Sequence, residues 1–431
     1  MMLKDFKTSL KYSRDLDLSD PLRKYRKEFH IPENTIYLDG NSLGLCPKKG
    51  ETSLFRILDE WKTRGIHGWL EGENPWFFLA EEIGKMMAPL VGAHPEEVIC
   101  TGTTTVNQHA LLSTFYKPDG IRTKILADEK NFPSDIYAIK SHLKMRGYNP
   151  REHLILVGAD KNGFIPGNRI TAHMTHEVAL ALFPSVFFRT GQLLDISKIT
   201  REAHKKGIII GFDCSHSVGS VQHSFSSDDI DFAFWCGYKY LNGGPGCPAS
   251  LYINKRHFGK EPLMAGWFGY NKQKQFEMSL DFEHQKSAGG WQISTPAVIS
   301  MAPLEGSLSL FLEAGMDKIR EKSIMLTTYL IRLVDELLHK EPYAFHIGTP
   351  RNPESRGGHV AVRREKNALQ ICEALKQRNI VPDFRPPDII RIAPSSFYNR
   401  FEDIWILVKV LRDLIDNREY EKCTPGSKLI T

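Results

Sequence analysis

The sequence lacks any cysteine pair of the C-x-x-C type, although it contains seven cysteines among its 431 residues. An odd number of cysteines at irregular spacings argues against both a disulfide framework and a zinc site. No apolar run approaches the ~20 residues of a membrane-spanning helix. Residues 1–17 carry charge throughout and contain no apolar signal segment. We therefore expect a cytoplasmic protein with no metal and no membrane association.

Concentrated positive charge is also missing. The net charge of +5 is spread along the chain, without a block of lysine and arginine. A nucleic-acid partner is not expected for such a distribution. With 41% hydrophobic and 25% charged residues, the composition is that of a folded globular protein. The length predicts two domains, one large and one small.

Short apolar segments alternate with amphipathic segments through the middle of the chain. This alternation predicts an α/β fold, with a mostly parallel sheet flanked by helices. The predicted strands are residues 97–102, 124–129, 207–213 and 231–237, and the predicted helices include 104–116 and 195–207. After about residue 297, two long helices precede a strand–helix–strand–helix pattern, which indicates a smaller α+β unit.

Polar residues follow several predicted strands, at the edge where parallel sheets bind ligands. Thr103 to Thr105 open a helix, whose free N–H groups suit a phosphate. Residues 131–135 (NFPSD) and the pair Asp213 and His216 follow two other strands. Taken singly, each of these groups is explained equally well as a helix cap or a surface residue.

Lys239 is harder to explain as an accident. It follows the aromatic strand FAFWCG and precedes the glycines of the sequence GGPG. An unpaired buried ammonium is costly, and such lysines become neutral or covalently bound. A lysine for an aldehyde, an aspartate for a ring nitrogen, an aromatic cover and a helix start for a phosphate together indicate pyridoxal 5′-phosphate (PLP) chemistry.

The motifs resemble those of the kynureninases, a family of fold-type-I (aspartate-aminotransferase-like) PLP enzymes. The resemblance spans residues 37–405. It rests on YLDGNSLGLCPK (37–48), TTTVNQH (103–109), NFPSD (131–135), RTGQLLDI (189–196), GFDCSHSVG (211–219), DFAFWCGYKYLNGGPG (231–246), GWFGY (266–270) and RIAPSSFYNRFEDIW (391–405).

The resemblance implies a role for each matching residue. The catalytic residues would be Lys239, bonded to the cofactor, Asp213 on the ring nitrogen and Tyr238 as a proton donor. The other cofactor-binding residues would be Thr104, Thr105, Phe132, Pro133, Ser134, Asp135 and His216, with Trp267 and Thr295 reaching the phosphate from a second subunit. Arg391 would hold the substrate carboxylate through a bidentate fork, and Ser42 would line the substrate pocket. An obligate homodimer with shared sites follows.

The resemblance also implies the organisation and the reaction. Residues 1–60 would be an N-terminal segment that contributes to the active site and the small domain. Residues 61–300 would form the large PLP-binding domain, and residues 301–431 the small α+β domain. The reaction would be hydrolysis of L-kynurenine to anthranilate and L-alanine in tryptophan degradation, with its 3-hydroxy form as a further substrate and NAD biosynthesis as another setting.

Two positions distinguish this chain within the resemblance. Pro184, followed by Ser185, stands where the family usually has a serine or threonine cofactor contact. Thr295 and Trp69 resemble the bacterial branch, which suggests kynurenine over its 3-hydroxy form. The alternatives are a cysteine desulfurase, a small-molecule aminotransferase or a binding protein of this fold without catalysis. A desulfurase needs a mobile cysteine loop, and a protein without catalysis would have lost Lys239, Asp213 or Arg391.

Overall fold

The computed structural model of the chain describes residues 5–72 and 74–423. Its helices are α1 (Leu10–Ser19), α2 (Lys48–Arg64), α3 (Leu79–Val91), α4 (Thr104–Phe115), α5 (Pro133–Met145), α6 (Pro150–His153), α7 (Gly167–Ala172), α8 (Ile196–Lys205), α9 (Val298–Ala314), α10 (Met316–Leu337), α11 (Ala368–Gln377) and α12 (Phe401–Asp416). Its strands are β1 (Ile36–Tyr37), β2 (Val98–Cys100), β3 (Lys124–Asp128), β4 (Leu154–Val157), β5 (Val178–Pro184), β6 (Ile209–Asp213), β7 (Phe232–Cys236), β8 (Ala249–Ile253), β9 (His346–Ile347), β10 (Val360–Arg363), β11 (Ile380–Val381), β12 (Asp383–Arg385) and β13 (Ile389–Ile392).

A seven-stranded sheet forms the centre of the larger unit. Its strand order is β2-β8-β7-β6-β5-β3-β4. The pairs from β7 to β4 are parallel, whereas β8 runs antiparallel to both of its neighbours. Strands β5 to β8 are apolar and almost completely buried, as expected for a sheet covered on both faces. The prediction of a mostly parallel sheet flanked by helices is confirmed.

The sequence interpretation did not identify β8, although its residues ASLYI are apolar and β-prone. The strand follows β7 after a glycine-rich loop with no intervening helix, so it enters the sheet antiparallel. Helices α2 and α3 were also not predicted. The predicted helices and strands otherwise match observed ones. Most of the observed elements are one to three residues shorter at an end, because the ends of regular elements fray into loops.

The smaller unit is built on a four-stranded antiparallel sheet, in the order β12-β13-β10-β9. Residues from α10, α11 and α12 pack with this sheet and form a second hydrophobic core. This core is separate from the core around the seven-stranded sheet. The N-terminal segment joins it, because β1 pairs in parallel with β11 and Leu38 lies in the second core. The domain boundaries at residues 60 and 300 stay a prediction. Helix α9 belongs to the first core.

Within residues 5–72 and 74–423, no helix is long and apolar enough to cross a membrane.

A charged cluster lies at the amino ends of the parallel strands, opposite the edge where the predicted site residues gather. Asp231 is 1% exposed and accepts hydrogen bonds from His257 (2.7 Å), His204 (3.0 Å), Arg256 (2.6 Å) and the Ile210 backbone N–H (2.8 Å). Burial alone would raise the pKa of Asp231, but these hydrogen bonds outweigh it and hold the pKa well below its usual range.

Replacing Asp231 by asparagine should destabilise the fold by about 3–5 kcal/mol at neutral pH, because the cationic partners then lose their buried counter-charge. The stabilisation by a carboxyl whose folded pKa is depressed is complete above its unfolded pKa of about 4 and is lost as the pH falls below that value. Urea unfolding of the wild type and Asp231→Asn at several pH values should therefore show a difference that narrows below about pH 4.

The matched control is Asp229→Asn in the same cluster. The Asp229 side chain is 60% exposed and pairs with Arg256 and His204. Solvent screens such pairs, so this variant should change the unfolding free energy by less than about 1 kcal/mol. Equal effects of the two substitutions would show that Asp231 does not anchor the sheet.

Candidate active site

A cavity of about 600 Å³ opens at the carboxyl ends of the central strands. Most of the residues that the sequence singled out border it. These are Ser42, Thr104, Thr105, Phe132, Ser134, Asp135, Asp213, His216, Tyr238, Lys239 and Arg391. These residues come from the N-terminal segment, the seven-stranded sheet and the smaller unit. The cavity therefore lies between the two hydrophobic cores.

Two helices begin at one wall of this cavity. The N-cap of α4 is Thr103, whose side chain makes no capping hydrogen bond, and the first backbone N–H groups of a helix have no helical partner. Thr105 Oγ1 lies 2.8 Å from Ser134 Oγ in the first turn of α5. Free N–H groups and hydroxyls from two helix starts thus face one place, which is the arrangement that binds a phosphate. Pro133, also predicted as a cofactor contact, starts α5 but does not border the cavity.

Lys239 borders the same cavity, in the turn after β7. Its Nζ donates a hydrogen bond of 2.9 Å to His216 Nε2. Burial lowers the pKa of His216 well below its usual value, and the neighbouring Lys239 lowers it further. His216 is therefore neutral and accepts the bond from Lys239. The side chain of Lys239 is only partly buried, because it borders the cavity rather than the core.

Asp213 ends β6, and its carboxylate accepts the Ser215 backbone N–H at 2.8 Å. Asp135 lies next to it and is 3% exposed. Burial raises the pKa of Asp135, and the negative charge of Asp213 and a hydrogen bond between the two carboxyls raise it further. The raised pKa favours the neutral, protonated form of Asp135 beside Asp213.

Arg391 reaches the cavity from β13 of the smaller unit, with only 1% of its surface exposed. Its charge is balanced by Asp383, which accepts a hydrogen bond from Nε and is in ion-pair contact with Nη2. Nη1 donates to the Phe188 carbonyl at 2.8 Å, and Nη2 also donates to Ser42 Oγ at 3.1 Å. Ser42 and Arg391, to which the resemblance assigns substrate-binding roles, are thus in direct contact.

The turn after β1 packs directly onto the lysine loop. Gly44 N–H donates to the Tyr238 carbonyl at 2.8 Å. A Cβ at Gly44 would come closer than 3.0 Å to the Lys239 carbonyl and to Asn242. A side chain at this position would therefore displace one of the two segments, which explains the second glycine of GNSLG.

Pro184 borders the cavity at the end of β5, and it brings no hydroxyl to that position. The neighbouring Ser185 points the other way. Its hydroxyl is 2.7 Å from Ser217 Oγ and 3.3 Å from the Asp213 carbonyl, and the side chain is fully buried. Ser185 thus does not replace the hydroxyl contact, but it supports the segment after β6.

Besides Pro133, three residues that the sequence singled out do not border this cavity within one chain. Trp267 is 42% exposed, Thr295 is exposed, and Trp69 packs edge-on against Trp76 at 5.8 Å, beside a second cavity. The action of Trp267 and Thr295 on a second subunit stays a prediction.

Sequence interpretation missed several cavity residues. Asn41 immediately precedes Ser42, and Arg385 lies in the stretch RPPD, which reads as a short loop. Asn41 has no apolar pattern or spacing that would set it apart, and only its neighbour Ser42 marks the segment. Arg385 was detectable as a second cation close to Arg391 in sequence.

The residues present fit PLP. A lysine amine, a carboxylate pair and a phosphate-type helix wall border one cavity, and Phe132, 45% exposed, offers an aromatic face there. Among the described residues, His216 Nδ1 and Asp135 Oδ2 are buried without a hydrogen-bond partner, so polar groups of the site remain available to a ligand. In the same part of the chain, no group of three or more His, Cys, Asp or Glu side chains is arranged to hold a metal ion.

Comparison with known proteins agrees with this chemistry. The family model for the kynureninase C-terminal domain matches residues 319–411. The chain is 52% identical to the kynureninase of Geobacillus thermodenitrificans, over 96% of each chain. It is 49% identical to the kynureninase of Shouchella clausii over 95% of each chain, and 48% identical to that of Bacillus anthracis over 98% of each.

Solved structures share the fold at low sequence identity. A mutant of the lyase C-DES with glycine covalently linked to its PLP cofactor gives a TM-score of 0.77 at 18% identity, covering 90% of this chain and 99% of that one. The apo cysteine desulfurase of Thermococcus onnurineus NA1 gives 0.76 at 18% identity, covering 92% and 98%. The fold-type-I architecture expected from the sequence is confirmed.

Replacing Gly44 by alanine should destabilise the protein by about 1–3 kcal/mol, the usual cost of overpacking. The new methyl group would push the Lys239 loop away from the turn after β1, and PLP would bind more weakly. Thermal unfolding of the apoprotein and titration with PLP, followed by absorbance, measure the two effects.

Gly167→Ala is the matched control, because a Cβ there meets nothing within 4 Å. It should leave both quantities unchanged or raise the stability slightly, since alanine favours the helix α7. If Gly44→Ala behaved like this control, the close packing of the two segments would not matter for the site.

Proposed function

The chain belongs to the kynureninase family, and from this premise we propose how its residues hydrolyse L-kynurenine. Enzymes of this family depend on PLP and cleave the Cβ–Cγ bond of L-kynurenine, which yields anthranilate and L-alanine. The observation that carries the proposal is one cavity bordered by Lys239, Asp213 and Arg391, in which Lys239 Nζ lies 2.9 Å from His216.

The cofactor would be held by the residues that border this cavity. Lys239 would bond to its aldehyde, and the helix starts at Thr104 and Ser134 would bind its phosphate. Phe132 would cover the ring, and Asp213 would keep the proton on the ring nitrogen. When bound, PLP supplies an aldehyde for the substrate amine and a ring that delocalises the electrons left at the substrate Cα.

Proton transfer at the substrate Cα falls to Lys239. Lys239 Nζ donates a hydrogen bond to the neutral His216, which fixes the position of the amine. The raised pKa of Asp135 favours its neutral form, so Asp213 does not face a second negative charge. Arg391 holds the substrate carboxylate and so orients the Cα–H bond toward Lys239.

Hydrolysis requires water to add to the γ-carbonyl of the substrate, after which the Cβ–Cγ bond breaks. Tyr238 borders the cavity and is only partly buried. Burial raises the pKa of its phenol, so Tyr238 keeps its proton near neutral pH and acts as a donor. Tyr238 is therefore the acid–base partner of this step in our proposal.

The cavity does not suit the desulfurase alternative. A desulfurase needs a reactive thiolate on a mobile loop. Cys247 is the cysteine at this cavity, but it is 5% exposed, and burial raises the pKa of its thiol well above the usual value. The retained set of Lys239, Asp213 and Arg391 also argues against a binding protein without catalysis.

We extend the proposal to a homodimer with shared active sites. Residues 263–280 carry exposed apolar side chains, which are Leu263 (55%), Trp267 (42%), Phe276 (66%), Met278 (67%) and Leu280 (103%). Exposed apolar groups gathered in one segment mark an interaction surface. Pairing through this surface would bring Trp267 and Thr295 to the partner's phosphate site, where one chain alone leaves them at the surface.

The finer assignments rest on the same family premise. Trp69 and Thr295 favour L-kynurenine over 3-hydroxy-L-kynurenine, and tryptophan degradation is then the setting, with NAD biosynthesis as the other. The seven cysteines all lie in the described part of the chain as free thiols, which supports a location in the reducing cytoplasm.

Lys239→Ala should abolish both anthranilate release from L-kynurenine and the long-wavelength absorbance of lysine-bound PLP. Anthranilate fluorescence and absorbance spectra measure these effects, and sulfide release from cysteine tests the alternative reaction. Lys161→Ala, at an exposed turn, is the control that should retain both signals. Full turnover by Lys239→Ala would exclude the assigned role.

Mixing two impaired variants tests whether the site is shared. Lys239→Ala and Trp267→Ala subunits, allowed to exchange, should recover activity in the mixed dimers, because one of the two sites then has both native residues. With random pairing, about a quarter of the sites are restored. Absence of recovery, although differently tagged subunits have exchanged, would place Trp267 outside the partner's site.

A further inference from the structure

The contacts of Arg391 leave too few free N–H groups for a bidentate interaction with the substrate carboxylate. A guanidinium has five N–H groups. Three hydrogen bonds use one N–H each, from Nε to Asp383, from Nη1 to the Phe188 carbonyl and from Nη2 to Ser42 Oγ, and Nη2 is also in ion-pair contact with Asp383. One N–H on Nη1 remains, whereas a bidentate grip on a carboxylate needs two parallel N–H groups. The bidentate interaction that the resemblance implies therefore lacks one N–H donor in this arrangement.

Loosening one of the existing bonds would not be an easy remedy. Asp383 is 1% exposed and also accepts from Arg385 Nε at 2.9 Å. Removing Arg391 from it would leave a buried charge poorly compensated, at a cost of several kcal/mol. A further donor at the cavity would complete the carboxylate site without that cost.

Asn41 offers such a donor. Its side chain is fully buried and borders the same cavity as Arg391. Neither its Nδ2 nor its Oδ1 has a hydrogen-bond partner among the residues that the structure describes. Buried side-chain amides are almost always paired, and an unpaired one costs about 1–3 kcal/mol. An amide kept in this state at a cavity wall indicates a ligand partner.

The backbone around Asn41 fixes the position of this amide. Ser42 N–H and Leu43 N–H both donate to the Asp39 carbonyl, at 3.0 and 3.2 Å, which closes a tight turn. The next residue, Gly44, is bonded to the Tyr238 carbonyl. On one side of Asn41, its neighbour Ser42 is bonded to Arg391. On the other side, Gly44 is bonded to the loop that carries Lys239, so Asn41 is held between the two.

We propose that the Asn41 side-chain amide donates the second hydrogen bond to the substrate α-carboxylate, beside the remaining N–H of Arg391. The inference rests on the proposed function, in which Arg391 holds this carboxylate. It makes Asn41 a substrate-binding residue and assigns Asp383 to hold the arginine in place.

The test compares two ligands that differ only in the carboxylate, L-alanine and ethylamine. Each is titrated into the PLP-loaded enzyme, and binding is followed by the absorbance of the cofactor. Asn41→Ala should weaken L-alanine binding about tenfold or more, the usual effect of losing a hydrogen bond to a charged group. Asn41→Asp should weaken it further, because two carboxylates then face each other. Ethylamine affinity should stay within about twofold in Asn41→Ala, since an amine without a carboxylate does not use the amide.

Asn168→Asp, the same isosteric change at an exposed position of α7, is the control and should alter neither affinity. Thermal unfolding of all variants identifies any that fail to fold, and Asn41→Ser then serves as a milder replacement. If Asn41→Ala weakened both ligands equally, or lost PLP on dialysis, Asn41 would contact the cofactor or only shape the turn, and the proposal would be wrong.

Anthranilate release by the wild type separates this inference from the proposed function. If the wild type releases anthranilate but the Asn41 variants bind L-alanine normally, only the role of Asn41 is excluded. If the wild type releases none while Asn41→Ala selectively loses L-alanine, the carboxylate site stands and the substrate assignment fails.

Discussion

The contact between the turn after β1 and the loop that follows β7 is the constraint on which the site depends. One backbone hydrogen bond, from Gly44 to Tyr238, joins a segment paired with the smaller unit to the loop that carries Lys239. Because no Cβ fits between the two segments, their separation is set by backbone atoms rather than by adjustable side chains. Substrate-binding groups on one segment and the reactive amine on the other are therefore held at a fixed distance.

Charge compensation then decides which groups are free to react. Asp383 balances Arg391, and the raised pKa of Asp135 favours its neutral form beside Asp213. Burial and the charge of Asp383 together raise the pKa of Asp39, next to the same turn, to about 7. An ionised carboxylate at each of these positions would be expensive in so dry a site. Buried negative charge is thus located where a fixed counter-charge exists, at Arg391 and near Lys239.

The sequence predicts the parts of this arrangement that follow from strand order. Lys239 and Asp213 follow apolar strands directly, and the carboxyl ends of parallel strands meet at one edge, so their proximity could be expected. Asn41 and Arg385 could not be placed this way, because they lie in loops whose course depends on contacts between distant segments. Strand β8 was missed for a related reason. It joins the sheet from a glycine-rich loop, and local periodicity does not reveal an antiparallel return.

The distribution of charge around the cavity also explains why its ligands should be anionic at two ends. The residues that border it include Arg391, Arg385, Lys239 and the threonines at the start of α4. The carboxyls of Asp135 and Asp213 offset only part of this positive potential, since the raised pKa of Asp135 favours its neutral form. A phosphate at the helix starts and a carboxylate near Arg391 would balance the remainder. A cavity built in this way selects a cofactor with a phosphate and a substrate with an α-carboxylate, and the donor that Arg391 lacks decides how firmly the substrate is held.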